Sequence, residues 1–212
     1  MADILGTDGT DIVFGTRRSD EVVTLGGDDF VATGRGQDFV SGGEGEDILA
    51  SGRSADVVKG GFGDDIINGG RGSDVMTGGH GDDEFIWAVT DVTNGATDVI
   101  VDFASVDKNG KGVDGISFLG AFGFNIQIDS IDVGDFGGEE MNGEDLRNNS
   151  TDDVVLTVSS TDFFGRVIAT QEIVLLDAWR RDSIDALEDM FADLGFDGEI
   201  GEYVEAPTYD LV

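Results

Sequence analysis

The sequence predicts an all-β chain: a parallel β-roll, then a β-rich capping region with one C-terminal amphipathic helix. Two observations predict the roll and a third predicts the cap. Residues 6–86 divide without insertion into nine nonapeptides, from GTDGTDIVF to GGHGDDEFI. In every unit the sixth residue is Asp and the eighth is apolar. After Phe85-Ile86-Trp87 the glycine period stops and longer alternating segments begin. A stack of short apolar layers needs such a cap at its end. A fixed short period also takes precedence over any residue-by-residue reading, because it sets the architecture.

Each unit splits into a six-residue turn and a three-residue strand. Glycines at positions 1, 2 and 4 permit positive φ and close backbone approach, so the turn can aim carbonyl oxygens inward. The triplet alternates, which sends the position-8 side chain to one face. That column is Val13, Val22, Val31, Val40, Leu49, Val58, Ile67, Met76 and Phe85. One triplet buries little, but a stack buries a continuous apolar column. Two units make an eighteen-residue coil with a turn at each edge. Successive coils then form two parallel sheets back to back, with layers about 4.8 Å apart.

Stacking also brings turns of like parity together. Units 1, 3, 5, 7 and 9 line an odd edge; units 2, 4, 6 and 8 line an even edge. Between stacked turns lie inward carbonyls and pairs of Asp carboxylates, which repel unless neutralised. A hard cation with about 6–8 oxygen ligands removes the conflict, and calcium suits it better than magnesium, which demands a near-ideal octahedron. With no Cys and a single His in the chain, zinc is a poor fit.

The units GGEGED, GGFGDD, GGRGSD and GGHGDD resemble the calcium-binding repeats of the RTX (repeat-in-toxin, hemolysin-type) family of secreted bacterial proteins. The resemblance implies calcium ions between like-parity turns, held by the Asp and by backbone carbonyls. On the odd edge it points to Asp11, Asp29, Asp47, Asp65 and Asp83. The matching turn positions are Gly6, Asp8 and Gly9; Thr24, Gly26 and Gly27; Gly42, Glu44 and Gly45; Gly60, Phe62 and Gly63; and Gly78, His80 and Gly81. On the even edge it points to Asp20, Asp38, Asp56 and Asp74, with Gly36 and Gly72.

The two edges differ in sequence. Position 4 is glycine throughout the odd edge, but Arg18 and Ser54 interrupt it on the even edge. Position 3 of the even edge is always arginine: Arg17, Arg35, Arg53 and Arg71. The expectation is a calcium ladder of up to four ions on the odd edge and partial occupancy on the even edge. The arginines either pair locally with carboxylates such as Asp20 and Asp38, or form an external ladder for a repeating polyanion, since the guanidinium fork suits carboxylates.

Composition limits the function. Lys and Arg total 12 against 45 Asp and Glu, a formal charge of −33. That excludes nucleic acid as a partner, because phosphate binding needs a basic footprint. It also makes the metal-free chain self-repelling, so metal that binds only the folded state supplies folding free energy. Missing cysteines are compatible with export when calcium replaces disulfides. No apolar run approaches the roughly 20 residues needed to span a bilayer. The start, MADILGTDGTD, lacks the basic and apolar regions of a cleaved signal peptide.

In the region 87–212, Thr97–Phe103 alternates like a strand, and further strands are expected at 115–119, 125–133 and 153–159. Residues 154–158 and 166–170 flank a short turn, which predicts a hairpin. Residues 172–176 read as another strand. Asp107 to Gly112 partly mimics an EF-hand loop, but Lys111 stands at position 5 and Phe118 where the bidentate Glu belongs, so it reads as a polar turn. Residues 134–152 read as a surface loop. Asp182-Ser183 caps a helix to Leu194, with Ile184, Leu187, Phe191 and Leu194 on one stripe and Gly195 at its end. The run GGHGDDEFIW…DVIVDF…VDGISF is similar to serralysin C-terminal domains and to alginate epimerase R-modules. The terminal Asp210-Leu211-Val212 resembles the uncleaved type I secretion signals of the serralysin branch.

No catalytic constellation is present. His80 occupies a variable repeat position and HExxH is absent. Paired carboxylates such as Asp64-Asp65 sit in a repeat context that assigns them to calcium or hydration. The leading expectation is a secreted, non-catalytic calcium-binding protein or module that folds on meeting extracellular calcium. The alternatives are a polysaccharide-binding module using the arginine edge, and a calcium-dependent surface-layer or adhesion component.

Overall fold

The computed structural model describes residues 1–104, 112–121, 123–134, 153–176, 190–192 and 194. Ten strands form the roll: β1 (Asp3–Leu5), β2 (Ile12–Phe14), β3 (Glu21–Gly26), β4 (Phe30–Ala32), β5 (Phe39–Glu44), β6 (Ile48–Ala50), β7 (Val57–Phe62), β8 (Ile66–Asn68), β9 (Val75–His80) and β10 (Glu84–Ala88). Five more follow: β11 (Thr97–Ile100), β12 (Gly115–Leu119), β13 (Asn125–Gly134), β14 (Asp153–Thr161) and β15 (Val167–Leu175).

The coils stack in the predicted register. Val13 pairs with Val31, Val22 with Val40 and Val58 with Met76, each eighteen residues along. The position-8 column is the core of the roll, and every member from Val22 to Phe85 is at most 1% exposed. A parallel neighbour on each side satisfies the short strands' backbone groups, so stacking stabilises triplets too short to stand alone.

The two sheets are unequal. One contains β2, β4, β6, β8, β10 and β12, all parallel, and its roll strands are triplets as expected up to β8. In the other, β3, β5, β7 and β9 run six residues each. There the strand continues through positions 1–3 of the next odd turn, where Gly43 still pairs with Gly61 and Glu44 with Phe62. The odd turn is therefore shorter than six residues, because its first half keeps an extended ladder.

The nine-stranded sheet runs β1-β3-β5-β7-β9-β11-β15-β14-β13 and crosses from roll to cap without a break. β11 lies parallel on β9 and β15 parallel on β11; β14 and β13 then return antiparallel. The predicted strands at 166–170 and 172–176 are one strand, β15, paired with β14 from Val154↔Leu175 to Thr161↔Val167. Trp87, 1% exposed, closes the end of the roll beside Phe118. One apolar cluster joins the roll column to Phe103, Ile131, Leu156, Ile173 and Phe191. Residues 190–192 are helical and Leu194 lies in a turn just after them; the part of the expected helix before Met190, with Gly195 and the terminal tail, lies outside the described residues. So do most of the EF-hand-like loop and of the loop expected at 134–152.

Candidate metal ladders along the two edges

The position-6 aspartates form one hydrogen-bonded column on each edge. Each Asp N–H donates to Oδ1 of the Asp one coil further on. On the odd edge the steps are Asp11 to Asp29 at 2.7 Å, Asp29 to Asp47 at 2.9 Å, Asp47 to Asp65 at 2.9 Å and Asp65 to Asp83 at 3.0 Å. On the even edge they are Asp20 to Asp38 at 2.7 Å, Asp38 to Asp56 at 2.7 Å and Asp56 to Asp74 at 2.9 Å. These bonds fix every carboxylate after the first in each column and leave its second oxygen for another partner.

That second oxygen is buried and without a hydrogen-bond partner in Asp29, Asp38, Asp47, Asp56, Asp65, Asp74 and Asp83. Asp11 and Asp20 differ, because their Oδ2 atoms accept the N–H groups of Thr7 (2.7 Å) and Thr16 (2.5 Å). Five odd turns enclose four gaps and four even turns enclose three, so there is one orphaned oxygen per gap. A buried carboxylate oxygen left unpartnered is costly. Carbonyls converge on the same place. A Cβ added at Gly6 would lie 2.6 Å from Asp11 Oδ2 and 2.8 Å from the Thr24 carbonyl oxygen. One added at Gly60 would overlap Asp65 Oδ2 and sit 2.7 Å from the Gly78 carbonyl oxygen.

Burial first, then repulsion between neighbouring aspartates, pushes these carboxyls up: Asp47 and Asp83 to about 6, Asp56 and Asp65 to about 7, Asp74 to about 9. Among the described residues no group of three or more His, Cys, Asp or Glu side chains is placed to hold a metal ion by itself. The oxygens that line the gaps are carbonyls and carboxylates of neighbouring turns, a donor chemistry that fits a hard, oxygen-seeking cation of flexible coordination such as calcium.

The structure refines the roles of the turn residues. Positive φ falls at positions 2 and 4, as at Gly61 (134°) and Gly63 (115°), whereas glycine at position 1 is needed for space. Ser54 (φ 89°) and Leu25 (φ 79°) adopt the left-handed region without being glycine. The carbonyls of Glu44, Phe62 and His80 already accept N–H groups from Gly27, Gly45 and Gly63 at 2.7–2.8 Å. One lone pair on each is thereby used. Thr24 Oγ1 donates to the Gly42 carbonyl at 2.7 Å. The His80 ring stacks on Phe62 at 4.9 Å, as a residue of the roll's outer surface.

Arg17, Arg35, Arg53 and Arg71 are exposed on the even edge. They do not pair with Asp20 or Asp38, whose carboxylates are buried and bound to backbone N–H groups. Among the described residues the ion pair is Arg166–Asp162, at the hairpin. A further asymmetry escaped the sequence reading. Position 5 carries Asp28, Glu46, Asp64 and Asp82 on the odd edge, but Ser19, Gln37, Ala55 and Ser73 on the even edge. Thr10 holds that position in the first odd unit, so the odd edge gains an outer acid in four of its five turns and the even edge in none.

Two functional residues were also missed. Asp98 accepts the Asp74 N–H at 2.9 Å and Asp114 accepts the Asp83 N–H at 3.2 Å, so each adds a rung to its column. Their spacings are 24 and 31 residues instead of eighteen, which hid them. The signal was an Asp two residues before an apolar residue: Ile100 pairs with Met76 and Ile116 with Phe85, continuing the core column. Both end their ladders, because protein groups take Oδ2. Trp87 Nε1 (2.7 Å) and the Gln171 amide donate to Asp98, and Ala104 N–H (2.7 Å) to Asp114. Asp102 completes the cap by accepting the N–H groups of Gly78 and Gly79.

A parallel β-roll with an oxygen-lined gap between every pair of like-parity turns defines a class of repeat-built calcium-binding proteins. Residues 5–86 match that class by sequence as RTX calcium-binding nonapeptide repeats, in overlapping stretches 5–40, 23–58, 41–76 and 59–86. That repeat is a structural calcium-binding unit rather than a catalytic one, and is typical of extracellular proteins. No curated protein matches the chain. Among solved structures, the extracellular lipase LipA from Serratia marcescens is similar at 14% identity and a TM-score of 0.29, covering 90% of this chain. This chain spans 40% of that protein's length. The AlgE6R3 subunit of the Azotobacter vinelandii mannuronan C5-epimerase is similar at 21% identity and a TM-score of 0.26, covering 97% of this chain and 92% of its own. No helix among the described residues is long and apolar enough to cross a membrane.

Proposed function

We propose that this chain is a secreted, non-catalytic calcium-binding protein or module whose roll folds when it meets extracellular calcium. The observation that carries the reading is the set of seven orphaned Asp Oδ2 atoms, one in each gap between stacked turns. Calcium there neutralises the paired carboxylates and draws on turn carbonyls for the rest of its shell. The odd-edge sites of Asp11, Asp29, Asp47, Asp65 and Asp83 form the primary ladder. The even-edge gaps of Asp20, Asp38, Asp56 and Asp74 present the same orphaned atoms, so the full complement is seven ions. In a cytosol poor in calcium the acidic chain stays expanded and export-competent, consistent with a type I route. Outside, calcium near 10⁻⁴–10⁻³ M drives folding. Residues 87–212 cap the roll.

A calcium titration followed by far-UV circular dichroism, with calorimetric stoichiometry and a magnesium control, tests this. A cooperative gain of β-structure with calcium alone and close to seven ions is expected. Four ions would restrict the ladder to the odd edge, and a chain fully folded in chelator would refute the folding switch.

The exposed arginines favour a second reading, binding of an acidic polysaccharide along the even edge. Loss of glycan retention in the double variant Arg35→Glu, Arg53→Glu would support it.

A further inference from the structure

Where the cap overhangs the even edge, a groove of about 1010 Å³ opens. Its roll side carries Arg53 and Arg71, which face each other across a parallel bridge and so stand one layer apart, about 4.8 Å. Both are exposed and neither pairs with a described carboxylate. The acid in the lining, Asp91, is already held by Asn68 Nδ2 (3.1 Å), Ala88 N–H (2.9 Å) and Thr90 Oγ1 (3.3 Å). A chain of charge −33 therefore presents in one concavity two guanidiniums that pair with no described carboxylate. The other walls are largely apolar, with Val92, Phe124 and Ile168. Beyond them the hairpin exposes Phe163 (73%) and Phe164 (77%), extending the apolar surface.

We propose that this groove binds an anionic amphiphile, its carboxylate between Arg53 and Arg71 and its aliphatic or aromatic body against Val92, Phe124 and Ile168. Size and lining suit a small ligand with one charged end. The polar groups of Thr90, Thr93 and Asn94 weigh against a sugar body, because their oxygens are engaged within the protein. Thr93 Oγ1 donates to the Asp91 carbonyl, Thr90 Oγ1 to the Asp91 carboxylate, and Asn94 Oδ1 accepts the Thr170 N–H. Guanidiniums recognise the carboxylate by paired donors, and the apolar walls supply burial for the body.

The test uses the calcium-loaded full chain and two fluorescent probes, 8-anilinonaphthalene-1-sulfonate and its neutral analogue N-phenyl-1-naphthylamine. The sulfonate stands in for the carboxylate head. One-to-one binding of the anion is expected, weakened about tenfold or more by Arg53→Gln with Arg71→Gln, with the neutral probe nearly unaffected. Ile168→Asp, at an exposed position, should weaken both probes, and 2-naphthoate should displace the anion. Circular dichroism of each variant checks that the roll persists. Anion binding unchanged by the arginine substitutions would overturn the proposal. Displacement by trigalacturonate but not by 2-naphthoate would also overturn it, giving the groove to an acidic glycan.

Discussion

Asp65→Asn tests the ladder at its centre. The substitution keeps the shape of the side chain and the Oδ1 that accepts the Asp47 N–H, but removes the charge and the orphaned Oδ2. One gap should lose its ion. If each site binds with a Kd of about 10⁻⁴–10⁻³ M, about 10 mM calcium stabilises the fold by roughly 1.4–2.7 kcal/mol per ion. That is the expected loss in a urea unfolding experiment at that calcium concentration, with stoichiometry reduced by one. Without metal the sign should reverse. Burial and the charges of Asp83 and Asp47 hold the Asp65 carboxyl up at about 7, so a neutral amide relieves a conflict at pH 8. The variant should then show more residual β-structure in chelator than the parent chain. Equal destabilisation with and without calcium would refute the reasoning, because Asp65 would then be serving only as a hydrogen-bond acceptor.

The other predictions concern pH, the cap and the turns. Carboxyls raised to about 6–9 favour the ion-free fold below their unfolded pKa near 4 and progressively oppose it as pH rises through those values. In chelator, β-structure followed by circular dichroism should therefore increase as pH falls from 9 to 5, while calcium affinity falls as protons compete. Trp87→Phe removes the indole donor to the buried Asp98. A loss of about 1–3 kcal/mol is expected in urea unfolding, and an unchanged midpoint would show that Gln171 alone satisfies that carboxylate. Ser54→Gly relieves a residue held at φ 89° and should gain about 1–2 kcal/mol in thermal or urea unfolding of the calcium-loaded chain. A Gly9→Ala control should change little, since a Cβ there meets nothing within 4 Å.

The sequence alone determined the roll. An Asp and an apolar residue, each recurring every nine residues through nine units, fix coil length, register and the inward column, because a layer that stacks on its own copy leaves only one repeat distance. It also picked out the aspartates that line up along each edge, since they recur with the turn. Tertiary structure decided what the period could not carry. Asp98 and Asp114 join the columns through insertions of irregular length, so only their pairing in space reveals them. Whether Arg53 and Arg71 pair with carboxylates depends on which way buried Asp side chains turn, and the ladder turns those inward. The union of β15 with β11 joins residues more than seventy positions apart, Thr97 with Glu172. No local pattern encodes that contact: it follows from the open sheet edge at the end of the roll, whose backbone groups need partners.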